Sequence, residues 1–388
     1  MSGLNVIRPC APRFHPKTTM KRIVTSATAD SVYFLSGVHL YAMNAGTGAL
    51  QWGLLISDAR SRLSWEGEDP KQHLPLPPAP GAGPRRHPAY HDFLVGLAIQ
   101  NNRVFVTSRS FTFALAADSG ELLWEHYTRW NHDRPAVVGD TVYVPSSIMH
   151  ALSTHDGSER WSYRTAWNGV TSVPVIDKDT LYVGSYDNAV YALDCASGHT
   201  RWVHHTGGRV YVAPMVDQGV LYAGSGDDWP RIFALDATGG QLLWRTSQTS
   251  DTRARLAVAD GVLYTSDWRT GLGLIGLDPQ SGTVVWQYGG LDNVSLLVHG
   301  HLLYAATALG DLYAFETPTH QLLWQQTVRP RAGAVSCMKL LGDELYVGFN
   351  GMGEYVDQFV SIHAINALTG GEDWSATVRW NVGTLDLA

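Results

Sequence analysis

Cysteine is scarce: Cys10, Cys195 and Cys337 are the only three in 388 residues, too scattered to frame a disulfide-stapled fold. Free thiols and a reducing compartment are expected. Charge is sparse as well, at 16%, and 28 Lys and Arg against 35 Asp and Glu leave a formal net charge of −7. That balance argues against non-specific binding to nucleic acid or to an anionic membrane. No apolar run is long enough to span a bilayer. The stretch from Met1 to Cys10 lacks the continuous apolar segment of an export leader, and Arg8-Pro9 spoils a lipid-attachment reading of Cys10. A cytoplasmic protein, monomeric, is therefore expected. Helical periodicity is missing too, as are a nucleophile elbow, a phosphate loop, a zinc-protease signature and a haem-attachment Cys-x-x-Cys-His.

What is abundant is tryptophan in a recurring place. Fourteen occur, and eight of them, Trp52, Trp124, Trp161, Trp202, Trp244, Trp286, Trp324 and Trp374, follow a Thr/Ser/Asp-Gly turn at successive gaps of 72, 37, 41, 42, 42, 38 and 50 residues. Apart from the first gap, this is the period of one four-stranded sheet in a radial array. Residues 170–206 show the unit: four β-rich runs separated by Asp-Lys-Asp, Tyr-Asp-Asn and Ala-Ser-Gly, a meander of strands A, B, C and D. The fold expected is all-β, an eight-bladed β-propeller of four-stranded antiparallel blades filling residues 20–388, after an N-terminal tail at 1–19. A Pro-rich insertion at about 57–90 joins blades one and two, and is read as a lid or a tolerated surface excursion.

The turn chemistry explains the motif. In Ala192 to Trp202, Asp194 can bond its own turn backbone, Gly198 can take positive φ, and the small Ala192 leaves room for the indole. An indole that buries about 150–250 Å² contributes up to ~4–6 kcal/mol at about 25 cal/mol per Å². The eight tryptophans are therefore assigned to packing between blades.

The pattern Ala-x-Asp-x-x-Thr/Ser-Gly-x-x-x-Trp resembles the tryptophan-docking motif of pyrroloquinoline-quinone-like (PQQ-like) propeller repeats. It is cleanest through Ala192, Asp194, Gly198 and Trp202 and through Ala234, Asp236, Gly240 and Trp244. Gly276 replaces the Ala in blade six, His320 the Gly in blade seven, and Ala116 and Ser153 the Asp in blades two and three. The resemblance covers about residues 20–380 and implies two uses, quinone-dependent dehydrogenases and non-catalytic scaffolds. Many of the enzymes carry an adjacent cysteine pair beside the cofactor, which this chain lacks. No cofactor is expected, PQQ being the one the resemblance leaves open, and no metal.

Subtracting the staples leaves candidates for function. In a meander the B–C turns and D-to-A crossovers emerge on one face, and the other six tryptophans all map there. Trp130, Trp167 and Trp380 each lie six residues after a staple and precede Asn131, Asn168 and Asn381. At the Asn position other blades offer Arg209, Asp251, Asn293 and Arg331, while Asp228 with Trp229 and Asp267 with Trp268 occupy B–C turns. Aromatic planes among polar groups make a ligand mouth, expected to bind a polar small molecule or a protein or peptide without catalysis. The alternative is a quinone-type oxidoreductase or a metal-assisted enzyme on the same face, using His91, Asp92, His132 and Asp133. Ring closure is left open between strand A at 22–28 and a C-terminal strand at 382–388.

Overall fold

The computed structural model describes residues 6–7, 25–27, 30–36, 39–55, 94–166, 169–170, 172–226, 231–246, 255–267, 272–291, 294–328, 333–351 and 358–380. Eight antiparallel sheets follow one another along the chain, seven of four strands and one of five. The blades run from 25–55, 94–127, 136–163, 175–205, 215–245, 257–288 and 295–327 to 333–380. The protein is an eight-bladed β-propeller, as its sequence predicts. No helix among the described residues is long and apolar enough to cross a membrane.

Burial follows strand position. The B and C strands are buried on both faces, as in Thr180–Gly184 and Ala189–Asp194, because a neighbouring blade covers each side. Outer D strands alternate, as in Thr200–His205, since one edge and face reach solvent.

Each C–D pair carries a register slip directly after the motif Ala, at Ala42, Ala114, Ala151, Ala192, Ala234, Gly276, Ala314 and Ala364. A bulge of this kind bends the D strand and redirects the next side chain, and here it aims the tryptophan at the following blade. Seven indole N–H groups donate to the carbonyl of the residue after the motif Asp position one blade on, for example Trp52 to Ala117 at 3.0 Å, Trp161 to Cys195 at 2.9 Å and Trp202 to Ala237 at 3.0 Å. Asp194 shapes the turn as expected, its Oδ1 accepting from Ser197 N at 2.9 Å and Ser197 Oγ at 2.8 Å.

A second ring of the staple was hidden in the strand-B Leu-Tyr or Val-Tyr step. Tyr33, Tyr143, Tyr182, Tyr222 and Tyr346 pack on the staple of their own blade and donate to the same carbonyl that it uses. Blade two has Phe105 there, and blade seven has Tyr304, whose buried hydroxyl has no partner. Removing that hydroxyl removes a desolvated donor and nothing else, whereas Tyr182 loses a bond worth about 1 kcal/mol. In denaturant unfolding, Tyr304→Phe is expected to be neutral or stabilising, and Tyr182→Phe to cost about 1 kcal/mol.

Blade six departs from the rule. The glycine that receives the other indoles is replaced by His320, held at φ 57°, and Trp286 stacks on its imidazole with centroids 4.8 Å apart and planes 13° from parallel. Tyr264 completes the seat, its Oη lying 3.0 Å from His320 Nε2.

The ring closes from blade eight to blade one: Trp374 Nε1 and Tyr346 Oη both donate to Ala45 O, at 3.2 and 3.0 Å. Strand A of blade one is Thr25–Ala27, paired with Ser31–Ser36, so the N-terminal strand takes the innermost place. Val6–Ile7, within the segment expected as a tail, adds a fifth strand at the outer edge, opposite Leu54 and Gly53. The expected C-terminal strand at 382–388 and the 57–90 insertion lie outside the described residues.

Candidate functional site

Two loops of blade two are laced together. Asn131 is buried, and its Nδ2 donates to Ser108 O at 2.6 Å, Phe111 O at 3.1 Å and Thr128 Oγ1 at 2.8 Å, while its backbone N donates to Arg109 O at 2.8 Å. Thr128 in turn meets Thr112 Oγ1 at 3.0 Å. Asn131, expected to face a ligand, instead fastens the crossover to the B–C turn. The reason is local: a side-chain amide placed between two turns satisfies carbonyls that strand pairing leaves over.

That lacing forces the preceding pair outward. Arg129 and Trp130 adopt φ of 39° and 60°, a conformation costing non-glycine residues about 1–3 kcal/mol each. The corresponding place in the blade-four crossover is Gly207-Gly208, with Gly207 at φ 78°. Blade four meets the backbone requirement with glycine; blade two meets it with Arg-Trp and carries the strain. The outcome is an exposed indole, Trp130, with the Arg109 guanidinium lying over it at 4.3 Å.

The row continues across the neighbouring blades. His132 packs edge-on against Tyr186, in the B–C turn of blade four, with centroids 5.5 Å apart, and Tyr186 packs edge-on against Tyr211 at 5.6 Å. Arg209 lies 5.7 Å over Tyr186, and its Nη1 donates to Tyr211 Oη at 3.3 Å. Burial, reinforced by the charge of Arg109 and opposed by Asp133, lowers the pKa of His132, so the imidazole is neutral at neutral pH. Asp133 turns to its own loop, its Oδ1 accepting from Arg134 N at 2.7 Å. The arrangement offers two guanidinium groups and four aromatic planes on the face of the B–C turns and crossovers. It suits carboxylates and flat polar groups.

Of the residues expected at the mouth, Trp130 and Arg209 stand in this row. Trp380 proves to be the last residue of strand Glu372–Trp380, paired with Gln358, and not part of a crossover. The four strands of blade eight are longer than their counterparts, so the sheet absorbs what the spacing assigned to a loop. Asp267 ends strand Val262–Asp267 opposite Gly273. Trp167, Asn168, Asp228, Trp229, Asp251, Trp268, Asn293, Arg331, Asn381, His91 and Asp92 lie outside the described residues. Arg109, Tyr186 and Tyr211 were missed, although they occupy the same turns and crossovers; sorting every aromatic and Arg by loop, instead of tryptophan alone, finds them.

Known proteins share the repeat and the propeller fold. A family model described as outer membrane protein assembly factor BamB matches residues 36–169, 109–210, 146–292, 205–347 and 275–387. The outer membrane protein assembly factor BamB of Moranella endobia (strain PCIT) is 32% identical over 119 residues, 27% of this chain and 30% of that protein. A quinohemoprotein alcohol dehydrogenase of Comamonas testosteroni is 32% identical over 91 residues, 20% of this chain and 13% of that protein. The chain thus spans less than a third of either relative. The crystal structure of BamB from Moraxella catarrhalis superposes with a TM-score of 0.62 at 16% identity, covering 98% of both chains, a likeness of fold. With overlapping matches from residue 36 to residue 387, the chain belongs to the PQQ-like repeat family that bears the description outer membrane protein assembly factor BamB.

Proposed function

We propose that this propeller is a non-catalytic recognition module that binds an acidic protein or peptide segment on the face of the B–C turns and crossovers. The observation that carries the reading is the exposed Arg109–Trp130 stack, raised on two left-handed residues and continued by His132, Tyr186, Tyr211 and Arg209. In a chain of net charge −7, a local pair of arginines among aromatic rings favours carboxylates over nucleic acid or anionic lipid. The assembly-factor name of one relative is in keeping with a protein partner.

The oxidoreductase alternative, prompted by the quinohemoprotein relative, finds less support. A multiply carboxylated quinone calls for cations converging on an enclosed stacking slot. Arg109 and Arg209 are exposed, and each lies over an aromatic ring; Cys10, Cys195 and Cys337 offer no adjacent pair. These residues do not fit PQQ, and no redox step is assigned. The metal-assisted version is weakened by His132, which faces Tyr186, and by Asp133, which caps its own loop.

The test is an immobilised series of aromatic-containing peptides of graded net charge. Affinity is expected to rise with peptide acidity, to fall with salt, and to drop about 10- to 100-fold in the double variant Arg109→Ala/Arg209→Ala. Binding that ignores peptide charge, or that the double variant leaves intact, counts against the reading.

A further inference from the structure

The repeat places a defined pair of side chains at every blade seam: the residue two after a staple and the residue before the motif Ala of the next blade. At most seams this pair is apolar or aromatic. Tyr163 meets Tyr191 at 5.9 Å, His204 meets Phe233 at 5.9 Å and Tyr288 meets Tyr313 at 6.1 Å. At the seam of blades two and three both members are histidine, His126 and His150, with centroids 6.1 Å apart. A carboxylate joins them: Glu159 Oε2 lies 2.6 Å from His150 Nδ1 and 3.9 Å from His126 Nε2. One donor atom from each of the three falls within 4.8 Å of the others.

The geometry points to a divalent transition-metal site, of the two-histidine, one-carboxylate type, bridging blades two and three through His126, His150 and Glu159. Donors about 2.0–2.1 Å from a tetrahedral ion stand roughly 3.3 Å apart. The His150–Glu159 pair opens from 2.6 Å by about 0.7 Å as the ion replaces the proton between them, and His126 Nε2, 3.9 Å from Glu159 Oε2, closes by about 0.6 Å. That proton leaves to solvent, and a water fills the fourth position. Imidazole and carboxylate donors without thiolate suit zinc, cobalt or nickel. The turn glycine of the next blade offers an outer contact of the expected kind: at the equivalent position two blades on, His204 Nδ1 lies 3.2 Å from Gly240 O. His150 is nearly buried, whereas the Glu159 side chain is 36% exposed, which gives an ion a way in.

Blade eight supplies an internal control. His363 Nδ1 lies 2.9 Å from Glu372 Oε1 at the positions of His150 and Glu159, but Gln326 stands where His126 does. A His–Glu pair is thus a recurring hydrogen bond of C and D strands, and the second histidine is what distinguishes the seam of blades two and three.

Titrating the purified, metal-stripped chain with Co²⁺ and following its visible absorption and heat of binding tests the site. One ion per chain is expected, with proton release and a higher melting temperature. His126→Gln and Glu159→Gln should each weaken binding at least about 100-fold, more than loss of an outer contact does, while His363→Gln leaves it unchanged. Both His126→Gln and the untreated chain are to be checked for equal far-ultraviolet dichroism. Absence of binding in the folded wild-type chain, or binding that survives His126→Gln, overturns the site.

Discussion

Gly198→Val is expected to lower the stability of the protein by at least about 3 kcal/mol, as read from denaturant unfolding. Two terms add. Gly198 sits at φ 72°, where a side chain costs roughly 1–2 kcal/mol. A Cβ there would also stand 2.6 Å from the ring of Trp161, far inside contact distance. The indole must leave its seat and give up its bond to Cys195 O at 2.9 Å. Gly219 separates the two terms, because it has φ 82° but open space where a Cβ would go. Gly219→Val should show the backbone cost alone. Equal losses for the two variants would mean that the indole seat contributes nothing.

Trp374→Ala is expected to cost about 3–5 kcal/mol and to open the ring at one seam. Trp374 reaches Ala45 O at 3.2 Å and lies 3.1 Å from the Cβ position of Gly48, so it joins the last blade to the first across 329 residues of sequence. Loss of one seam leaves two sheets with an uncovered face, and local opening should follow there. Hydrogen exchange is expected to quicken in Ser31–Ser36 and Glu344–Gly351 while Thr180–Gly184 keeps its protection. Unchanged exchange in the first and last blades would show that closure rests on something else.

The sequence made the blades legible because packing repeats and therefore announces itself. Tryptophan, turn glycine and turn aspartate recur because every seam imposes the same steric demand. Exceptions are legible only where a residue type changes: His320 marks the altered seat of Trp286, but its stacked geometry with Tyr264 could not be read from the substitution. Val6–Ile7 is too short to show a strand pattern, and only the open edge at Gly53 and Leu54 gives it a partner. The site was half legible. Sorting loops by face led to Trp130 and Arg209, yet the step Trp130-Asn131 splits, one side chain out and the other in, through hydrogen bonds to Ser108 and Phe111 that no spacing reveals. His126, His150 and Glu159 escaped notice because His126 joins the pair on blade three only across a seam, and the seam register had first to be known.

The central claim is that two sets of side chains divide the work, staples holding the ring and the Arg–aromatic row binding a partner. It is tested most directly by measuring melting temperature and acidic-peptide affinity side by side for Trp202→Ala and Arg109→Ala/Arg209→Ala. The staple variant is predicted to melt well below the wild type with its affinity intact at temperatures where it is folded, and the arginine variant to lose affinity with its melting temperature intact. An arginine variant that melts early and binds as before would contradict the account.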